Sequence, residues 1–175
     1  MSAGPPVDPG REAIVQALER HGVRYVVIGG AAAQARGWLE PTDDIDVTPE
    51  RSQENLERLA AAVRELDGGF RVDPVRYPNG FQPPGGIDAR TFRNQVSLSF
   101  TTAHGDFDVV LIPDGTSGYE EIAQTATPET LPGTRIVVPV ASAETILHSK
   151  ATADRPKDRA ALEQMRRAFR SKPST

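Results

Sequence analysis

Between Tyr25 and Thr48 the chain commits itself to a particular turn and a particular pair of acids. An apolar run, Tyr25-Val26-Val27-Ile28, ends in Gly29-Gly30, and downstream the sequence reads Thr42-Asp43-Asp44-Ile45-Asp46. The β-branched and aromatic character of Arg24 to Ile28 predicts a buried strand, and glycines directly after a strand let the backbone turn sharply with its N–H groups bare. Ala31 to Ala35 predicts a short helix, whose N-terminus adds unpaired donors and a positive dipole end at the same place, a setting for phosphate. Asp44 and Asp46 alternate with Ile45 and Val47, so on a strand both carboxylates share one face. Paired carboxylates on one face are a cradle for Mg²⁺ or Mn²⁺.

Composition narrows the chemistry. The 175 residues suit one domain with a core of its own, and the absence of cysteine excludes disulfides and thiolate metal sites. No stretch has the apolar length of a membrane span, and Met1 to Gly10 lacks the basic-then-apolar order of a signal peptide, so the expectation is a cytoplasmic protein without a membrane partner. The net charge of −4 is unevenly spread: Lys150 to Thr175 holds eight Lys/Arg against three Asp/Glu, a net +5, which leaves −9 for the rest. A basic C-terminal part can attract RNA or a triphosphate, although a charge run is more often a solvated helix face, the reading preferred for Arg166, Arg167 and Arg170.

The expected organisation is a tail over 1–7, a single domain over 8–170 and a C-terminal tail over 171–175. Asp8-Pro9 reads as N-cap and first helical residue, with Ile14 and Leu18 on the core face and a stop at Gly22. Thr48-Pro49 repeats that cap-and-proline pattern before a helix with Leu56, Leu59, Val63 and Leu66 on one face. Phe70 to Val72 predicts a short strand, and Asp73 to Arg90, dense in Pro and Gly, a long loop. Val96, Leu98 and Phe100 alternate with serines and face the apolar run Phe107 to Ile112 across His104-Gly105, a hairpin pattern. Thr134 to Val138 predicts another strand, Ser142 caps a helix that stops before Pro156, and a last helix carries Leu162, Met165 and Phe169 on one face. His21, His104 and His148 show no ligand spacing, and Arg36 and Trp38 beside Gly37 are expected to cover the loop rather than touch a base.

Asp106 and Asp108 repeat the spacing of Asp44 and Asp46, so a second strand can present acid to the first. Like carboxylates a few Å apart resist joint ionisation, and a divalent cation removes that cost. Two metal ions about 4 Å apart would activate an attacking hydroxyl and hold a triphosphate, which is the chemistry of nucleotidyl transfer. Asp106 and Asp108 share a strand face, and a one-pair shift would exchange them; Asp108 is preferred because Val109-Val110-Leu111-Ile112 follows it directly, as Val47 follows Asp46.

Gly29-Gly30, Thr42-x-Asp44-Ile45-Asp46 and Asp108 at the opening of a strand resemble the nucleotidyltransferase fold shared with polymerase beta, an α+β fold with a mixed, largely antiparallel sheet backed by helices. Ser149-Lys150 and Arg155-Pro156-Lys157-Asp158 are similar to the C-terminal segments of AbiEii-type and MenT-like nucleotidyltransferases. The resemblance spans Val23 to Leu162. It implies that Asp44, Asp46 and Asp108 form the catalytic and metal-binding triad for two Mg²⁺ or Mn²⁺ ions. It further implies that Gly29, Gly30, Ala31, Thr42, Lys150 and Lys157 contact an NTP, ATP among them. The implied role is transfer of NMP to an acceptor hydroxyl, in some relatives a tRNA end, within a toxin-antitoxin pair, with an antitoxin or a second copy as protein partner. Two positions depart from the pattern: Ala31 stands where many relatives have serine, and Ala161 where an acid is frequent. The alternative class is a non-catalytic nucleotide-binding module of a toxin-antitoxin complex, which the loss of a hydroxyl at Ala31 favours.

Overall fold

Val27 and Val47, both without exposed surface, face each other on antiparallel strands β1 (Tyr25–Ile28) and β2 (Ile45–Pro49) at the centre of the sheet. The computed structural model describes residues 6–171. Around the central pair stand β3 (Gly69–Phe70), β4 (Ser97–Thr102), β5 (Gly105–Val110), β6 (Thr127–Thr130) and β7 (Val137–Val140), giving the spatial order β3-β4-β5-β2-β1-β7-β6. The β1–β7 and β2–β5 pairings are parallel and the other four antiparallel, so the sheet is mixed and largely antiparallel. The expected α+β class is the one observed.

Helices α1 (Pro9–Arg20), α2 (Gly29–Ala35), α3 (Gln53–Glu65), α4 (Ala89–Arg93), α5 (Tyr119–Ala123), α6 (Ala143–Ala153) and α7 (Pro156–Ser171) complete the described chain. Asp8 caps α1 by accepting from the N–H groups of Gly10 and Arg11 at 3.0 and 3.1 Å, and Ser142 caps α6 through Thr145 N–H at 3.1 Å. These caps satisfy donors that a helix start leaves orphaned. Alternation in the strands sends Phe70, Phe100 and Phe107 to one face, where Phe100 lies 5.5 Å from Phe70, 6.3 Å from Phe107 and 6.0 Å from Phe92 of α4 between ring centroids. The opposite face is left for polar residues.

Three expectations shift. Thr48 and Pro49 are buried strand residues, not a helix start; the cap of α3 is Ser52, which accepts from Asn55 N–H at 3.3 Å. Asn55 explains the difference, because its side chain bonds the N–H and C=O of Arg24 and the C=O of Glu50, carrying the strand pair past Pro49 before the helix begins. The long loop after Phe70 ends at α4, opened by Asp88, whose carboxylate accepts from Thr91 N–H while the Thr91 hydroxyl bonds the Asp88 N–H. The strand expected over Thr134 to Val138 lies at Val137–Val140, since the buried Thr134 hydroxyl closes a turn by donating to Leu131 C=O at 2.9 Å. Its antiparallel partner β6 carries Pro128 at the sheet edge, where a missing N–H costs no ladder bond.

The start of the expected domain is tied down where Asp8 N–H donates to Gly133 C=O at 2.8 Å. Most of the expected tails, 1–5 and 172–175, lies outside the described residues. Among those described, no helix is long and apolar enough to cross a membrane.

Candidate active site

One row of residues crosses the sheet. Asp46 pairs with Asp108 across β2 and β5, Asp108 with Ser99 across β5 and β4, Ile28 with Asp46 across β1 and β2, and the N–H of Arg71 donates to Ser99 C=O at 2.8 Å. Asp46 and Asp108 are therefore cross-strand neighbours on the polar face, and Asp44 follows from the period of two just before β2 begins. Register also separates Asp108 from Asp106. Asp106 stands opposite Thr101, whose hydroxyl donates to it at 3.1 Å, and its side chain is 38% exposed against 18% for Asp108.

Sequence reasoning missed the cation in this row. Arg71 Nη2 lies 2.9 and 3.2 Å from the two Asp108 oxygens, and Nη1 lies 2.9 Å from Asp106 Oδ2 and 3.6 Å from Asp44 Oδ2. A planar fork suits this bridging, which a single ammonium could not reproduce. Strand parity could have revealed it: Phe70 belongs to the aromatic face, so its neighbour Arg71 belongs to the acid face. Burial lowers the affinity of Arg71 for its proton, but Asp106, Asp108 and Asp44 outweigh this and leave its pKa raised. Asp46 is outside these contacts. Burial first, then the charges of Asp108 and Asp44, push its carboxyl up to about 7 against the opposing pull of Lys150 and Lys157. Asp44 is also raised, chiefly by burial, with Arg71 pulling the other way.

These residues line a cleft of about 670 Å³ that also takes in Gly29, Gly30, Thr42, Lys150 and Lys157. Gly29 opens α2 with a φ of 66°, and a Cβ there would sit 2.2 Å from Asp46 Oδ2, so the turn and the carboxylate fit together only without a side chain. A Cβ on Gly30 would come within 2.7 Å of Thr42 Oγ1. The N-cap of α2, Ile28, offers no side-chain acceptor, which leaves the first N–H groups of the helix to the cleft. Ala31 has no exposed surface, so it can present only its backbone there. Thr42 is held from behind by Arg11, 7% exposed, which donates to Thr42 C=O at 2.5 Å, Pro132 C=O at 2.8 Å and Gln34 Oε1 at 3.0 Å.

On the far wall Lys150 of α6 donates to Asp158 of α7 at 3.2 Å, and Arg155 Nε donates to the other oxygen at 2.6 Å. Asp158 is 2% exposed; burial raises its pKa, and the bonds from Arg155 and Lys150 overcome that and hold it below the ordinary carboxylate range. Lys157 is exposed on the same helix start. Trp38 forms part of the cleft wall, whereas Arg36 ties α2 to the β6–β7 hairpin through Glu129 at 2.8 Å and the Val140 and Ala141 carbonyls at 2.9 and 3.0 Å. His21 pairs with Glu65 and His148 with Gly115 C=O, both away from the acid row.

The residues present fit a divalent cation in donor chemistry. Asp44, Asp46 and Asp108 supply only hard oxygen donors, and the glycine turn keeps room beside Asp46. Among the described residues no group of three closes into a finished metal cage. Arg71 stands among the carboxylates instead.

No family model matches the chain, and no curated protein matches it in sequence. Solved structures do resemble it. The lincosamide antibiotic adenylyltransferase LnuA, bound to lincomycin, aligns with a TM-score of 0.60 at 11% identity over 93% of this chain and 98% of its own. The solution structure of the antibiotic-resistance factor ANT(2'')-Ia aligns with a TM-score of 0.56 at 19% identity over 93% and 82%. The same factor in complex with adenylyl-2''-tobramycin gives 0.50 at 20% over 91% and 94%. The chain thus has the nucleotidyltransferase-type fold that its motifs led one to expect; at these identities the likeness is one of fold.

Proposed function

We propose that this protein is a metal-dependent nucleotidyltransferase that moves NMP, AMP foremost, from an NTP to the hydroxyl of a small acceptor molecule. The pairing of Asp46 with Asp108 beside the Gly29 turn, in a cleft whose far wall carries Lys150, is the observation that carries this reading. Asp44, Asp46 and Asp108 would hold Mg²⁺ or Mn²⁺, two ions in the expected arrangement. When bound, the ions supply charge neutralisation for the phosphates and a more acidic acceptor hydroxyl.

The chain's own residues divide the remaining work. Lys150 and Lys157, with the uncapped start of α2, bind the triphosphate and set its leaving end toward α6 and α7. Thr42, fixed by Arg11, closes the turn beside Gly30. Asp108 accepts the proton of the attacking hydroxyl as its oxygen bonds to the α-phosphorus and the bond to pyrophosphate breaks. Apolar wall residues such as Trp38 and Ile112 exclude water from the acceptor side.

A small acceptor is favoured because the cleft has the volume of a small-molecule site, and because antibiotic adenylyltransferases of nearly the same extent share the fold. The RNA-end reading, with its toxin-antitoxin setting and antitoxin partner, rests on the basic C-terminal part. Much of that charge is engaged locally: Arg155 with Asp158, Arg159 with Asp154, and Arg167 with Glu163. Purified protein incubated with α-labelled NTPs, Mg²⁺ or Mn²⁺, a panel of polyhydroxylated antibiotics and total RNA tests both. Label on a small molecule, lost in Asp46→Asn and Asp108→Asn, supports the proposal; label on RNA overturns the acceptor assignment. Nucleotide binding with no transfer to any acceptor would instead identify the non-catalytic module.

A further inference from the structure

We infer that Arg71 is a built-in counter-cation of the carboxylate row, which a divalent ion must displace from Asp44 and Asp108, and that Asp106 is the residue that retains Arg71 when this happens. The inference deepens the metal-binding reading above and rests on it. One guanidinium serves three acids: both Asp108 oxygens within 3.2 Å, Asp106 Oδ2 at 2.9 Å and Asp44 Oδ2 at 3.6 Å. A hard cation binds carboxylate oxygens at about 2.1 Å, far closer than a guanidinium nitrogen stands, and a positive group this near repels it. Asp44 and Asp108 are thus bridged by the fork of one guanidinium.

Displacement has a ready destination. Asp106 holds Arg71 through Nη1, a different nitrogen from the one on Asp108, and is itself fixed by the Thr101 hydroxyl at 3.1 Å. Arg71 can release Asp108 and Asp44 by side-chain rotation while its backbone stays bonded to Ser99. The two acids of β5 then have distinct duties despite their identical spacing: Asp108 faces the metal, and Asp106 receives the arginine. Arg71 is a positioning residue in this scheme, since it acts through the carboxylates.

Mn²⁺ binding to the full chain without nucleotide, read by electron paramagnetic resonance of free Mn²⁺, tests this without reference to turnover. Arg71→Gln is expected to tighten Mn²⁺ binding about tenfold by removing the competing charge. Arg71→Lys, which keeps a charge but cannot bridge three acids, is expected to tighten it less, and it guards against a Gln variant that fails to fold. Asp106→Asn is expected to weaken binding in the wild-type background and to have a much smaller effect beside Arg71→Gln. Unchanged or weaker binding in the Arg71 variants overturns the inference. Equal weakening by Asp106→Asn in both backgrounds makes Asp106 a ligand and overturns it too. Asp46→Asn separates the two levels: Mn²⁺ binding that is absent from the wild type, or indifferent to Asp46→Asn, overturns the metal-binding reading together with this one.

Discussion

Asp46 is the carboxylate of the cleft whose environment most opposes its own charge. Burial first, and then the charges of Asp108 and Asp44, push its carboxyl up to about 7 in the folded chain against 3.8 for an unperturbed aspartate. The folded state therefore holds this proton more tightly than the unfolded state does, and the contribution of Asp46 to stability falls as pH rises from about 4 to about 7, then levels off. Asp44 is shifted in the same direction. Urea unfolding of the metal-free protein across that window should show the wild type losing stability relative to Asp46→Asn as pH rises; a difference between the two that does not change with pH would contradict the assignment. Saturating Mn²⁺ at pH 8 should restore the lost stability in the wild type and not in the variant. Gly29 makes a second residue-scale prediction. Gly29→Ala places a Cβ against Asp46 Oδ2 and forces a left-handed φ on a non-glycine residue, so the loss should be at least about 1–2 kcal/mol by urea unfolding, with transfer lost as the carboxylate moves.

At the scale of elements, β2 joins the site to the core, and its far end carries a defect that can be tested. Thr48 is fully buried and its hydroxyl has no hydrogen-bond partner among the described residues, an arrangement that costs about 1–3 kcal/mol relative to a satisfied or absent hydroxyl. Thr48→Val keeps the branched shape and should stabilise the protein by about 1 kcal/mol, measured as a higher urea midpoint at unchanged slope, with metal binding intact. The same strand shows what the sequence does and does not make legible. Local alternation placed β1, β2, β4 and β5 well, and the order of glycine turn and acids located Asp44, Asp46, Asp108 and Gly29 in one cleft, because those signals are short-range and periodic. The end of β2 was misjudged because Thr48-Pro49 has the chemistry of a helix start, and only the distant partnership of Asn55 with Arg24 and Glu50 keeps it a strand. β6 and α4 are too short to show a period. Arg71 and Arg11 act through partners far away in the chain, Asp108 for one and Thr42 for the other, and a lone arginine carries no spacing that announces such contacts.

Across the whole molecule, charge is sorted along the cleft in which the proposed function would place a nucleotide. Acids cluster on β2 and β5 near Gly29, while Lys150, Arg155 and Lys157 stand on the far wall, so a triphosphate bound as proposed would meet opposite polarity at its two ends. Lys150 is the link between the halves, since it pairs with buried Asp158 and still pulls down the pKa of Asp46 across the cleft. Lys150→Gln should therefore raise the KM for NTP about tenfold, roughly 1.4 kcal/mol of lost binding, with a smaller change in kcat. Raising ionic strength should raise the wild-type KM, and the variant should respond less, because the charge being screened is gone. Asp158→Asn should mimic the KM effect in part, by freeing Lys150 from its anchor, and should also destabilise the α6–α7 pair by about 1–3 kcal/mol, as two cations lose the acid that gathers them. If Lys150 served only the helix ends, Lys150→Gln would lower stability and leave the KM for NTP where it was. The ratio of KM change to stability change, measured for both variants side by side, therefore tells a phosphate-binding lysine from a structural one.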